Sequence, residues 1–188
     1  MAICNNPIMS GMSGRVGNLI FRRHGKKTIV AAAPKTNNKK RSPTSQQSKN
    51  QLTFHKATRY ASWAMQHSSL KELYEKKARK GRTALNVAFR DAYIPPEIRD
   101  IYAESYLGKP GDMIMIEADD DFKVISVKVS IRLAGGELLE EGKALEDVNP
   151  VYWVYFTSFP NNSLPGTTIQ VMAEDLAGNI TIRSLQLL

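Results

Sequence analysis

The sequence predicts an α+β fold in which a basic N-terminal arm with a β-hairpin and a helical region precede a small β-sandwich. Residues 1–100 carry 20 Lys and Arg against 5 Asp and Glu, whereas residues 101–188 carry 6 against 13. Apolar residues recur at helical spacing in the middle third of the chain, and form alternating or β-branched runs in the last third. We therefore expect three regions, at 1–41, 42–106 and 107–188.

The first predicted element is a β-hairpin. Residues 17–22 and 27–31 are β-branched or aromatic runs, and Gly25 between them supplies the positive φ that a tight turn favours. An isolated hairpin is marginally stable in water, so its apolar side chains need a covering surface. Residues 1–14 are predicted to be a flexible or partner-ordered arm. The predicted docking side chains are Leu19, Phe21 and Ile29.

Positive charge surrounds and follows the hairpin. The segment 34–51 contains no large apolar side chain, so at least its first half is predicted to be a basic linker. Such a segment could neutralise several phosphates, with an affinity that falls steeply as salt rises. It has no interleaved aromatic residue and no nucleic-acid-binding motif, which favours an acidic protein partner or a solvated segment over nucleic acid. The predicted contact residues are Arg22, Arg23, Lys26, Lys27, Lys35, Lys39, Lys40 and Arg41.

Three helical stretches are predicted before Pro95-Pro96. The first begins near Ser42-Pro43 and continues to about Gln66. The second begins at Ser69-Leu-Lys-Glu72, a sequence typical of a capping box. The third follows Gly81 and ends at the two prolines. The composition then changes from basic to acidic across 108–112, so we predict a domain boundary at 106–112.

Five β-rich runs follow this boundary and are separated by turn residues, at 113–116, 124–133, 151–156, 167–172 and 180–187. This spacing is typical of a small β-sandwich. Trp153 alternates along its strand with Tyr152 and Tyr155, and one face of that strand is expected in the core, so carbohydrate binding there is only weakly indicated. The predicted core residues are Ile116, Val124, Val127, Val129, Trp153, Ile169 and Val171.

The same region carries motifs of a known family. Its acidic turn 118–121 leads into 124–129, and further on come Trp153, the run 169–173 and Asp175-Leu-Ala-Gly-Asn179. These residues resemble bacterial immunoglobulin-like domains over about 113–188. The resemblance implies a small immunoglobulin-like β-sandwich whose acidic and glycine residues mainly build corners, and roles in spacing, adhesion and assembly. The N-terminal part, from Ser13-Gly-Arg-Val-Gly-Asn18 through Phe21, Phe54 and Trp63, is similar to uncharacterised bacterial and phage-associated proteins and implies no mechanism.

Few residues are suited to chemistry. Cys4 is the only cysteine, so no intrachain disulfide can form. The histidines His24, His55 and His67 lack the spacing of metal sites, and we expect no cofactor. A calcium site needs six to eight oxygens, so solvated corner residues are favoured over calcium binding for the acidic turns. The weak calcium candidates are Asp119, Asp120, Asp121 and Asp175.

The sequence favours a non-enzymatic structural protein whose basic half docks onto protein subunits of a larger, virion-like assembly. The alternatives are a nucleic-acid- or ribosome-associated binding protein and, third, a cell-surface adhesin. We see no signal peptide and no apolar run of about 20 residues, so we expect cytoplasmic synthesis, no membrane insertion and an oligomeric or assembly-bound state in a virion or intracellular assembly.

Overall fold

The computed structural model describes residues 2–4, 9, 11–34, 42–79 and 81–188. These residues form three helices and three antiparallel sheets, which confirms the predicted α+β class. The chain divides into two units, Met1–Pro43 and Thr44–Leu188. None of the three helices in the described ranges has the length and hydropathy of a membrane-spanning segment.

The N-terminal unit contains a four-stranded sheet with the strand order β1-β4-β3-β2. Strands β3 and β4 form the predicted hairpin, and Gly25 in its two-residue turn has a φ of +60°. Part of the predicted arm also belongs to the sheet, because β1 pairs with β4 and β2 pairs with β3. The sequence pattern missed these two strands because each is only three residues long. The strands are β1 (Ala2–Cys4), β2 (Gly14–Val16), β3 (Leu19–His24) and β4 (Lys27–Ala32).

The second unit begins with helices α1 (Ser45–Ala64), α2 (Ser68–Lys77) and α3 (Ala84–Tyr93). A capping box does occur, but at the start of α1, between Thr44 and Gln47. The Thr44 hydroxyl accepts a hydrogen bond from the main-chain amide of Gln47, and the side-chain oxygen of Gln47 accepts one from the main-chain amide of Thr44. The capping box predicted at residues 69–72 is wrong, because α2 begins one residue earlier after His67, which forms no side-chain cap.

A small apolar cluster holds the three helices together. It is built largely from alanines, which lets the helices approach closely. Two partly buried side chains from connections between strands, Phe122 and Leu176, pack against the cluster. The helical region is therefore packed against loops of the β-region within one unit. The buried members of the cluster are Ala61, Ala64, Tyr74, Ala84 and Ala88.

Eight strands form two four-stranded sheets, with the orders β5-β6-β10-β9 and β12-β11-β7-β8. Buried side chains of both sheets form one apolar cluster, and all seven predicted core residues belong to it. The period-2 burial of β11, in which every second side chain is buried, shows why alternation located this strand. The strands are β5 (Glu97–Tyr102), β6 (Met113–Asp119), β7 (Val124–Arg132), β8 (Leu138–Lys143), β9 (Leu145–Glu146), β10 (Tyr152–Phe156), β11 (Thr168–Asp175) and β12 (Ile180–Gln186).

The sheets begin earlier in the chain than the sequence indicated. Strand β5 pairs with β6 and buries Ile98 and Ile101 in the shared core, although it precedes the predicted start at residue 107. The register of β5 shifts between Ile98 and Asp100, which leaves Arg99 as an extra residue. This bulge lets two residues three positions apart face the same core, so strict alternation is absent from the strand.

Candidate functional site

Four basic residues of the predicted contact set surround the turn of the N-terminal hairpin. Arg22 and Arg23 lie near the end of β3, Lys26 lies in the turn and Lys27 begins β4; all four are exposed. The Arg23 guanidinium donates to the Gly25 carbonyl at 3.3 Å, which leaves most of its donors facing solvent. The structure thus gathers these charges at one end of the sheet. Lys35, Lys39, Lys40 and Arg41 lie outside the described residues.

The predicted docking side chains do not share one face of this sheet. Side chains alternate along a strand, so Leu19 and Phe21 lie on the same face, and the pairing of Phe21 with Val30 places Val30 there too. Ile29 pairs with Arg22 and belongs to the opposite face. Leu19 is 44% exposed and Phe21 only 5%. The face that carries Leu19 and Phe21 is called the Leu19 face below.

A second site lies in the other unit, where three carboxylates from distant parts of the sequence converge. Asp91 comes from α3, Asp120 from the β6–β7 connection and Asp175 from the end of β11. One carboxylate oxygen of each lies within 4.8 Å of those of the other two. Asp91 is 1% exposed and Asp175 is fully buried. We call these three residues the carboxylate cluster.

Two of the four sequence-predicted calcium candidates belong to this cluster and two do not. Asp119 pairs with the Arg99 guanidinium at 3.1 Å, and Asp121 pairs with Arg90 at 2.7 Å. Asp120 and Asp175 remain, and the structure adds Asp91. Sequence reasoning missed Asp91, although a signal exists: it lies three and seven residues after Ala88 and Ala84, so it continues the buried face of α3.

Hydrogen bonds hold the cluster from several sides. The Tyr74 hydroxyl donates to Asp91 Oδ2 at 2.5 Å and lies 2.9 Å from the Tyr60 hydroxyl. Asn179 donates through its main-chain amide to Asp175 Oδ1, and through its side-chain amide to Asp175 Oδ2, both at 2.7 Å. The same side-chain amide donates to the Asp91 carbonyl at 3.1 Å, which joins α3 to the β11–β12 turn.

Two carboxylate oxygens of the cluster are buried without a hydrogen-bond partner, Asp91 Oδ1 and Asp120 Oδ1. The other oxygen of Asp120 accepts from the main-chain amides of Phe122 and Lys123, at 2.7 and 3.0 Å. A buried polar atom without a partner costs free energy comparable to a lost hydrogen bond. The free-energy cost of burying these two oxygens is therefore not offset by any hydrogen bond within the cluster.

The environment of the cluster disfavours negative charge. Burial raises the pKa of Asp91 to about 7, and the Tyr74 hydrogen bond opposes this rise. The charges of Asp120 and Asp175 add to it, as does a hydrogen bond to Asp120 that only the protonated form of Asp91 can donate. Burial also raises the pKa of Asp175, and the hydrogen bonds from Asn179 oppose that effect. Burial and the hydrogen bond to Asp91 raise the pKa of Tyr74 far above its usual range. The cluster therefore favours bound protons or a cation over three bare carboxylates.

A pocket of about 580 Å³ opens beside α3, and its lining combines four basic side chains with the carboxylates of Asp91 and Asp121. Arg79 and Arg82, both exposed, line it between α2 and α3, together with Lys77 and Arg90. The Lys77 ammonium donates to the Phe122 carbonyl and lies 4.9 Å from the centre of the Phe122 ring. The sequence analysis did not predict this pocket, because its residues are spread over two helices and their connection.

The remaining candidate residues have structural positions. Trp153 and Tyr155 are both buried in the sheet core, as predicted for one face of that strand, so they offer no carbohydrate platform. His55 lies on α1 and His67 lies just after it, and both are exposed. Nδ1 of His67 is hydrogen-bonded to the Trp63 carbonyl at 2.9 Å. No histidine of the described ranges belongs to a group of three metal-ligating side chains.

Comparisons with known proteins give distant structural similarity. No protein-family model and no curated protein sequence matches the chain. CopC from Methylosinus trichosporium OB3b is 14% identical, with 47% of this chain and 87% of that chain covered, at a TM-score of 0.36. An engineered protein is 17% identical, with 56% and 27% covered, at a TM-score of 0.34. A lipoprotein from Bacteroides thetaiotaomicron is 11% identical, with 49% and 76% covered, at a TM-score of 0.27.

Proposed function

We propose that this chain is a non-enzymatic structural protein whose N-terminal unit docks onto protein subunits of a larger, virion-like assembly. The carrying observation is the exposed apolar surface of the N-terminal sheet. Val16 is 66% and Leu19 44% exposed, and the two are paired at one end of the Leu19 face. Phe21 and Thr28, which are further along the same face, are the only buried residues among those described in this unit. Apolar side chains that a sheet leaves uncovered are typical of a surface that binds another protein.

We further propose that the eight strands of the second unit form an immunoglobulin-like domain. When they are lettered A to G in chain order with an extra strand C′, the two sheets become A-B-E-D and G-F-C-C′. Immunoglobulin domains have the A-B-E-D and C-F-G arrangement, which supports the proposal. The disulfide of antibody domains has no counterpart, since Cys4 is the only cysteine. In this role the domain is displayed by the assembly, and the protein is made in the cytoplasm.

Gradient sedimentation of lysates from cells that make the protein tests the docking role. A tagged chain with Val16→Ser and Leu19→Ser should move from the fast-sedimenting complex to the free fraction, because both changes remove exposed apolar contacts at little cost to folding. Ile182→Ser is the matched control, since Ile182 is 57% exposed on β12 in the other unit. Co-sedimentation of the double variant at the wild-type level would contradict the proposal.

Nucleic-acid binding is the second candidate function. The observation that favours it is the pair of basic surfaces, one at the hairpin turn and one around the pocket that Arg79 and Arg82 line. A phosphate binder shows a steep linear fall of log affinity with log salt. Binding of a short DNA duplex should then weaken sharply between low and high NaCl, and less sharply for Arg22→Gln with Arg23→Gln. A weak affinity with little salt dependence would leave the docking role as the better account.

A further inference from the structure

The carboxylate cluster combines two independent features. The first is geometric: Asp91, Asp120 and Asp175 bring one oxygen each to within 4.8 Å of one another. The second is chemical: Asp91 is 1% exposed, and its Oδ1 is buried without a partner, as is Oδ1 of Asp120. Tyr74 and Asn179 account for other oxygens of the cluster, so these two atoms are the ones that still lack a partner.

Among the residues that the structure describes, no cationic side chain is bonded to any of the three carboxylates. Four described basic residues line a pocket together with Asp91. Arg90 pairs with Asp121 and Lys77 donates to the Phe122 carbonyl, whereas Arg79 and Arg82 are exposed to solvent. Charged carboxylates that are taken out of water without a counter-ion are costly. A cation between them would offset their mutual repulsion and satisfy both unpartnered oxygens.

The cluster suits calcium better than magnesium, because calcium accepts oxygen ligands in a wider range of geometries. Calcium binds oxygens at about 2.3–2.6 Å, so two ligands on opposite sides of the ion lie up to about 5 Å apart. Magnesium binds at about 2.0–2.1 Å and demands near-ideal octahedral geometry, which three carboxylates on separate elements are less suited to provide. Three protein oxygens leave at least three positions for water or other oxygens, and the flexible coordination of calcium tolerates such a mixed set.

We propose that Asp91, Asp120 and Asp175 form a binding site for a divalent cation of the calcium class. The ion would join α3 to the β6–β7 connection and to the end of β11, and so link the helices to both sheets. The proposal stands apart from the proposed docking role, because every ligand belongs to Thr44–Leu188. With three carboxylate ligands we expect a dissociation constant on the order of 10⁻⁴ M.

Thermal unfolding and calorimetric titration of the full chain test the site. After the protein is stripped with EGTA, about 5 mM CaCl₂ should raise the Tm by roughly 5 °C, and the same amount of MgCl₂ should raise it less. Asp120→Asn should abolish the calcium shift. Asp121→Asn is the matched control: it makes the same chemical change at the next residue, where the side chain pairs with Arg90, and should keep the shift.

A direct binding signal keeps the test decisive if a variant fails to fold. Terbium replaces calcium at oxygen sites, and the Tyr74 ring beside Asp91 can sensitise its emission. Wild-type protein should show terbium emission that CaCl₂ displaces. An absence of calcium binding to the wild type, a calcium shift that persists in Asp120→Asn, or equal loss in Asp121→Asn would overturn the proposal. A proton shared among the carboxylates would then be the better account.

Discussion

Replacement of Tyr74 by Phe tests whether the helices and the two sheets unfold as one body. The Tyr74 side chain is fully buried, and its hydroxyl contacts Asp91 Oδ2 at 2.5 Å and the Tyr60 hydroxyl at 2.9 Å. Phenylalanine keeps the ring and its contact with Phe122, whose ring centre lies 4.6 Å away. Tyr60 can still donate to the Leu176 carbonyl, so the main loss is the hydrogen bond to the buried carboxylate.

An unpaired buried carboxylate oxygen costs about 1–3 kcal/mol, so Tyr74→Phe should lower the free energy of unfolding by about 2 kcal/mol. Tyr93→Phe, at an exposed position on α3, is the control and should stay within about 0.5 kcal/mol of wild type. Urea unfolding is followed by circular dichroism at the helix band and by Trp153 fluorescence in a Trp63→Phe background, which is acceptable because Trp63 is 45% exposed.

Both probes should report the same midpoint, and Tyr74→Phe should shift both by the same amount. The reason is that hydrogen bonds connect the helices and the β-region: Tyr60 on α1 donates to the Leu176 carbonyl, and Asn179 donates to the Asp91 carbonyl on α3. Two separate transitions, or a shift seen only in the helical signal, would refute the reasoning. In that case the helical region and the sheets would be distinct folding units, as the predicted boundary near residue 107 implies.

Three further predictions follow from buried groups and backbone geometry. After calcium is removed with EGTA, the pKa of Asp91 in the folded state lies near 7, above its usual value, so the stability that Asp91 contributes below about pH 4 should be lost as the pH rises through 7. The free energy of unfolding of wild type relative to Asp91→Asn, measured by urea titration, should change by up to about 4 kcal/mol between these limits. Parallel plots of this free energy against pH for the two proteins would contradict the prediction. Gly108→Ala should lower the free energy of unfolding by about 3 kcal/mol or more, because the added Cβ would overlap the Asn161 carbonyl. Gly136 has the same φ of +85° but open space around the added Cβ, so Gly136→Ala should lower it by only about 1 kcal/mol in the same titration. Ile131→Ala shortens a fully buried side chain and should lower the free energy of unfolding by about 2–5 kcal/mol. A decrease under about 1 kcal/mol would contradict the shared core.

Local patterns were sufficient to predict much of the fold. The hairpin was predictable because Gly25 and two flanking β-branched runs are close in sequence, and β11 because its alternate residues are apolar. Strand β5 was not, since the bulge at Arg99 places Ile98 and Ile101 on one side and abolishes the period of two. Strand β1 was not either, because three residues carry too little pattern and its partner β4 is distant in sequence.

The candidate cation site shows a different limit of sequence reasoning. Asp120 lies in the β6–β7 connection and Asp175 at the end of β11, and the sequence predicts both as weak calcium candidates together with Asp119 and Asp121. What separates the two pairs is which side chains have arginine partners, and that depends on where Arg90 and Arg99 lie in the fold. Asp91 is distant in sequence from both turns, so its part in the cluster required the packing of α3.

The two units differ in how many apolar side chains they bury, and this difference is the physical reason for assigning the docking role to the N-terminal unit. In Thr44–Leu188 the two sheets share a continuous apolar core. In the described part of the N-terminal sheet, Phe21 is the only large apolar side chain that is buried. Ile20, Ile29 and Val30 are half-buried, and Val16 and Leu19 are exposed. Four short strands need more apolar burial than this, and the exposed side chains of the Leu19 face are where a partner would supply it.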